Sequence, residues 1–104
     1  MKLIEIVNAR GSLQKLVAQD LPLTKAWEIM KLTNTCNVHL EFYGMKRDKM
    51  GGRPDPDQLE ALDNLEIQDI PTEKIRIPLL DNIMLSASDI KALEPFVEFY
   101  AIQE

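Results

Sequence analysis

One cysteine, one histidine and one tryptophan among 104 residues leave little from which to build a chemical centre. Cys36 has no second cysteine to pair with, which excludes an internal disulfide and any thiolate metal cluster. At its helical position it reads as a small core residue. His39 has no histidine or cysteine at a ligand spacing, and Asp55, Asp57 and Asp63 do not match a calcium loop. No metal and no other cofactor is therefore expected. Neither Ser86 nor Ser88 sits in a Gly-x-Ser-x-Gly elbow, and helix capping is a sufficient role for both. No apolar run approaches the ~18 to 20 residues that span a bilayer. The opening Met-Lys-Leu-Ile-Glu-Ile-Val carries Glu5 and lacks a signal-peptide apolar stretch, so a cytoplasmic protein is expected. Internal repeats and low-complexity tracts are missing too. No spacing typical of catalysis stands out, and the expectation is a non-enzymatic domain.

What the chain does have is charge polarity. Residues 1 to 53 hold nine Lys or Arg against five acids, a net of +4, while residues 54 to 104 hold three against twelve, a net of −9. A small protein so polarised suits docking, either half against half or against a charged partner. The 45% apolar and 28% charged composition is that of a folded globular protein, so disorder is not expected. The length fits a single domain, with a helical hairpin over 1–50, a linker over 51–55 and an acidic α/β half over 56–104.

Ile6, Ala9, Leu13 and Leu16 recur at three- and four-residue steps and predict a first helix from about Ile4 to Gln19. Met1 to Leu3 are alternatively extended. Gly11 inside this helix costs about 1 kcal/mol relative to Ala, which a bend or a close crossing at Gly11 and Ser12 would explain. Asp20-Leu21-Pro22 ends that helix and starts a second, since proline suits a first helical turn. Helix two is predicted to run toward Met50 with Ala26, Met30, Thr33, Cys36 or Asn37, Leu40 and Tyr43 along its packed side, and to stop at Gly51-Gly52. A break at Asn34-Thr35 or Gly44 is the alternative. An arm this long overhangs the first helix and leaves Leu40, Phe42, Tyr43, Met45 and Met50 for the C-terminal half or a partner to bury.

Beyond the linker, Asp55, Pro56 and Gln58 predict a capped short helix over Leu59, Ala61 and Leu62. Leu65, Ile67 and Ile70, then Ile75-Arg76-Ile77, predict two short strands joined by the turn at 71–74 as a small β-ribbon. Pro71 and Pro78 confine them to edges. Ser86 and Asp89 resemble a capping box for a helix from Ala87 to Leu93, which Pro95 interrupts. Phe96 to Ile102 make an aromatic tail, either a helical turn or a strand beside the ribbon. The predicted class is α+β and mainly helical: an N-terminal antiparallel helical hairpin with a small ribbon and short C-terminal helices. Ile67, Ile75, Ile77 and Phe96 are expected to cover the overhang of helix two.

The sharpest local charge feature is the cluster Lys46, Arg47, Lys49 and Arg53. It serves either as a patch for phosphate or an acidic protein surface, or simply as the cationic end of a helix. Phe42 and Tyr43 lie near it, but adjacent helical positions diverge around the axis, so the two do not stack bases together. With a pI of about 4.9, direct nucleic-acid binding is not expected. Asp55, Asp57, Glu60 and Asp63, continued by Glu66, Asp69 and Glu73, form an acidic face. It reads as a phosphate mimic toward a basic enzyme or as a plain solvated surface.

The run Leu21-Pro22-Leu23-Thr24-Lys25-Ala26-Trp27-Glu28-Ile29-Met30-Lys31 resembles the start of the second helix in a family of small bacteriophage and prophage proteins of unknown function. Leu59-Glu60-Ala61-Leu62, the Ile-rich stretch and Leu85-Ser86-Ala87-Ser88-Asp89-Ile90-Lys91-Ala92-Leu93-Glu94-Pro95-Phe96-Val97 look similar to its second half. The middle, Gly44 to Pro54, is shorter than usual, and Phe99 to Glu104 extends past the usual end. The resemblance implies phage origin, no catalytic residues, and a place in the bacterial host cytoplasm or in the virion. The function expected is protein–protein interaction in virion structure or assembly, with a phage structural protein or a second copy as partner. The alternative is an inhibitor of a host or defence nucleic-acid enzyme that presents the acidic face.

Overall fold

A computed structural model describes residues 1–71 and 73–101. The chain is α+β and mainly helical. In order come α1 (Leu3–Val17), α2 (Leu23–Met50), α3 (Pro56–Asp63), β1 (Ile75–Pro78), α4 (Ala87–Leu93) and β2 (Val97–Tyr100). No helix among the described residues is long and apolar enough to cross a membrane. The molecule measures 54 × 25 × 18 Å, and α2, at ~42 Å, accounts for most of its length.

The first helix forms on the predicted stripe: Leu3, Ile6, Ala9, Leu13 and Leu16 are all buried. Of the expected extended stretch Met1 to Leu3, Leu3 is already helical; Lys2 is extended ahead of the helix, and this end of the chain pairs with the segment after α3. The Leu3 N–H donates to the Leu65 carbonyl at 2.9 Å and the Ile67 N–H to the Met1 carbonyl at 2.7 Å. Gly11 meets no close neighbour, so the crossing expected there is not at Gly11. It is at Ser12, buried against α4.

Helix α2 is unbroken through Asn34-Thr35 and Gly44. Gly51 ends it with φ +71° and ψ −163°, a region essentially closed to residues with a Cβ. Its packed side is the expected one at Cys36, which is buried, and at Ala26, Thr33, Leu40 and Tyr43, which are half-buried, but it is rotated toward Ile29 and Leu32 and away from Met30. Ile29, Leu32 and Cys36 are buried, while Met30 is exposed. The reason is that α2 carries apolar residues around most of its circumference, so more than one rotation satisfies a helical period.

The strand pairing is also corrected. The segment around Ile67 does not pair with β1; it joins the N-terminus through an antiparallel bridge between Lys2 and Glu66. β1 pairs instead with the C-terminal tail, in parallel, with Ile75 opposite Val97 and Ile77 opposite Phe99. A parallel pair needs a crossover of a dozen or more residues, and the stretch carrying α4 supplies it. The tail is thus a strand, as one of its two expected forms; Ile102 lies outside the described residues, as does Thr72 of the expected turn.

One buried cluster joins Leu13, Leu16, Ile29, Leu32 and Cys36 to Leu62, Ile67, Ile70, Ile77, Leu93, Phe96 and Val97. Residues from both sides of the 51–55 linker share it. Each large side chain so buried contributes about 1.5 to 3 kcal/mol. The expected covering residues Ile67, Ile77 and Phe96 are buried and Ile75 half-buried. Leu40, Tyr43 and Met50 of the overhang pack partly against the cluster.

Candidate interaction surfaces

Of the two capping signals, Ser86–Asp89 forms in full, while Asp55 caps α3 through its own side chain with no bond from Gln58 among the described residues. Asp55 accepts the Asp57 N–H at 3.0 Å and opens α3 behind Pro56. Ser86 and Asp89 form a reciprocal capping box at α4. Asp89 does more than cap. Its Oδ1 accepts from the buried Ser12 hydroxyl at 2.8 Å, its Oδ2 accepts from the Ser86 N–H at 3.0 Å, and Lys15 Nζ lies 3.1 Å away. The Ser86 N–H, then the Ser12 hydroxyl, then Lys15 hold its carboxyl well below the usual carboxylate range, against the opposing effect of burial. This anchor ties α4, and through it the β1–β2 crossover, to the middle of α1.

The basic and acidic clusters do not clamp each other. Among the described residues, Lys46, Arg47, Lys49 and Arg53 make no salt bridge with any acid. Lys46 instead lies 5.5 Å from the centre of the Phe42 ring. Tyr43 turns the other way, half-buried, and donates to Asp63 at 3.1 Å. Desolvation, followed by that bond to Asp63, raises its phenol. Phe42 and Tyr43 thus diverge around the axis as expected. Asp55, Asp57 and Glu60 are exposed on α3, and Asp63 is half-buried beneath Tyr43. The structure joins Tyr43 to Asp63, Phe42 to Lys46 and Asp55 to Asp57, and among the described residues gives Arg47, Lys49, Arg53 and Glu60 no side-chain hydrogen bond or ion pair to another candidate residue.

His39, one turn beyond Cys36, lies 2.7 Å from Asp69. The nearby thiol does not complete a nucleophilic site. Cys36 is fully buried, and desolvation, with the Asp69 carboxylate adding to it, pushes the thiol up to about 11. A thiol so raised stays protonated near neutral pH and is a poor nucleophile. A cavity of about 240 Å³ opens between α2 and the approach to β1, walled by Leu32, Ile70, Ile75 and Phe96 and rimmed by Glu28 and Lys31, and Cys36 does not line it. That is smaller than the usual small-molecule pocket. Among the described residues no group of three or more metal-ligating side chains gathers.

A further surface feature is one that sequence reasoning isolated only in part, at Phe42 and Met45 of the overhang. Leu23, Trp27, Val38 and Met45 of α2 are 87%, 55%, 65% and 61% exposed, with Met30 and Phe42 exposed beside them. At 3.6 residues per turn, these six stay within about 60° of one line along the helix. The line runs opposite Ile29, Leu32 and Cys36. Lys31 lies 4.3 Å over the Trp27 ring and shields one side of it. The signal was present as a three- and four-residue spacing, but Met30 was expected on the packed side and Trp27 was not placed on any face. Aligned apolar side chains of this size mark an interaction site far more than scattered single ones do. A scan of known protein families and searches of curated proteins and solved structures find no match to this chain.

Proposed function

We propose that this is a non-enzymatic protein–protein interaction domain of a bacteriophage, acting in virion structure or assembly. The observation that carries the reading is the row of exposed apolar side chains along the outer face of α2, from Leu23 to Met45. A helix in which both faces are apolar is one built to pack twice, once inside its own domain and once against a neighbour. The phage setting rests on the resemblance at residues 21–31, 59–62 and 85–97. In this reading α1 and α2 are the arms of an antiparallel hairpin. The cleft that Arg10 and Gln14 line with Asn37, Leu40 and Glu41 supports this reading, since it brings residues of α1 beside the later part of α2. The C-terminal half braces the long arm from behind and leaves its front free.

The test is the composition of the particle. Peptide mass spectrometry of purified virions of the encoding phage should find the chain, and Val38→Glu on the outer face of α2 should lower its amount there. A chain found outside particles, in salt-sensitive complex with a nucleic-acid enzyme, would overturn this and favour the inhibitor reading. The feature that supports that second reading is the exposure of Asp55, Asp57 and Glu60 on α3, none of them ion-paired among the described residues.

A further inference from the structure

The occupant of the outer face of α2 can be read from the spacing of its side chains. Along that face the positions are Leu23, Trp27, Met30, Asn34, Val38, Glu41 and Met45. The steps between them are four, three, four, four, three and four residues, the same from either end. The centre is Asn34. Two copies of α2 laid antiparallel across this face bring Leu23 level with Met45, Met30 with Val38, Trp27 with Glu41, and Asn34 with its own counterpart. We infer that the outer face of α2 docks a second copy of this chain, antiparallel, about a two-fold axis at Asn34. This rests on the interaction-protein reading above and names the partner of that surface.

Three further observations select a second copy in this orientation. The first is symmetry: an isologous interface must be self-complementary, and the facing pairs Leu23 with Met45 and Met30 with Val38 set apolar on apolar and Asn34 sets amide on amide, with Trp27 against Glu41 the one mixed pair. The step from Leu23 to Asn34 to Met45 is eleven residues twice. Such a repeat stays close to the natural period of a straight helix and needs no left-handed supercoil. The second is charge. The cationic end of α2, with Lys46, Arg47 and Lys49, would meet its own copy in a parallel pair. In the antiparallel pair it comes level with the start of the partner's α2, where Asp20 lies exposed in the preceding loop, three residues before Leu23. The third is area. With large side chains of roughly 150 to 250 Å² each, the six exposed ones present on the order of 600 Å² per copy, near the lower edge of a standard interface when doubled. A pair of that size dissociates on dilution, as an assembly component does before it is used. Asn34 at the centre is the kind of polar residue that fixes register in a helix pair, since its amide is satisfied only against its counterpart.

Sedimentation velocity together with single-cysteine cross-linking tests this on the full chain. Native Cys36 is buried, so the unmodified protein serves as the uncross-linked control. The protein should pass from monomer to dimer between ~1 µM and ~1 mM, and Val38→Glu should weaken association at least tenfold while leaving circular dichroism unchanged. Under mild oxidation Asn34→Cys should cross-link to itself. Val38→Cys alone should not, but a mixture of Val38→Cys and Met30→Cys should form the mixed disulfide, because only facing positions come within the ~7 Å Cα reach of the bond. Efficient self-cross-linking of Val38→Cys would overturn the antiparallel arrangement in favour of a parallel one. A monomer throughout would overturn the second copy as occupant. If Val38→Glu still lowered the amount in virions, the interaction reading would stand with a different partner; if it did not, both would fall.

Discussion

The two faces of α2 carry side chains of similar kind and meet opposite fates. On the inner face Ile29 and Cys36 are fully buried and Leu32 nearly so, while on the outer face Leu23, Trp27, Val38 and Met45 stand in solvent. What separates them is their surroundings. α1 and β1 both lie against the inner face, and nothing in the described chain covers the outer one. Apolarity therefore does not by itself mark the core of this helix. The inner face reports on the stability of the fold, and under the proposed reading the outer face reports on association.

Substitutions on the two faces should separate accordingly. The largest effect is expected inside: Ile29→Ala should cost about 2 to 5 kcal/mol in chemical denaturation of dilute protein, through lost burial and the cavity left behind. The transition should remain single, since the cluster around Ile29 draws on both sides of the 51–55 linker. Asp89→Asn should come next, because it removes the anchor between α1 and α4, and it carries a pH signature. The folded-state pKa of Asp89 is depressed, so its stabilisation is fully present above the unfolded value of about 4 and is lost as pH falls toward the folded value. The midpoint of thermal unfolding should fall with acidification more steeply in the native protein than in Asp89→Asn. A parallel fall in both would remove the anchor from the account.

Smaller effects follow at the surface. Changing Lys46, Arg47, Lys49 and Arg53 to Gln should lower stability by at most about 1 kcal/mol each, because they meet a helix end and no described acid. A larger loss that shrinks with added salt would reveal a clamp on an acidic partner. Smallest of all, Trp27→Ala and Val38→Ala should leave the stability of the dilute monomer within about 0.5 kcal/mol. A core-sized loss from either would erase the difference between the faces.

The legible parts of this fold are those written in neighbouring residues. The α1 stripe, the Gly51 stop, the Asp55 cap and the Ser86–Asp89 box are local signals, and each forms where the sequence places it. The pairing of β1 was not legible, because nothing near Ile75 specifies Val97 over Ile67; the choice is made by α4 docking on Ser12 and Lys15 through Asp89. Of the outer face of α2 only Phe42 and Met45 were legible, as part of the overhang, and the rest was hidden for a different reason. With apolar residues on both sides, a helical period fits two rotations, and Met30 falls in with Ala26 and Thr33 on one and with Trp27 and Val38 on the other. The charge clusters were legible in position, but sequence does not say whether Lys46 meets an acid or the Phe42 ring.

Trp27 is the sole tryptophan, and it sits on the outer face, so its own emission reads the central claim directly. Recorded across concentration at constant buffer, the emission should shift to shorter wavelength as copies associate and α2 loses its contact with water, and Val38→Glu should hold it at the long-wavelength, exposed position throughout. An emission maximum that stays at the exposed position in the native protein at every concentration would contradict the account.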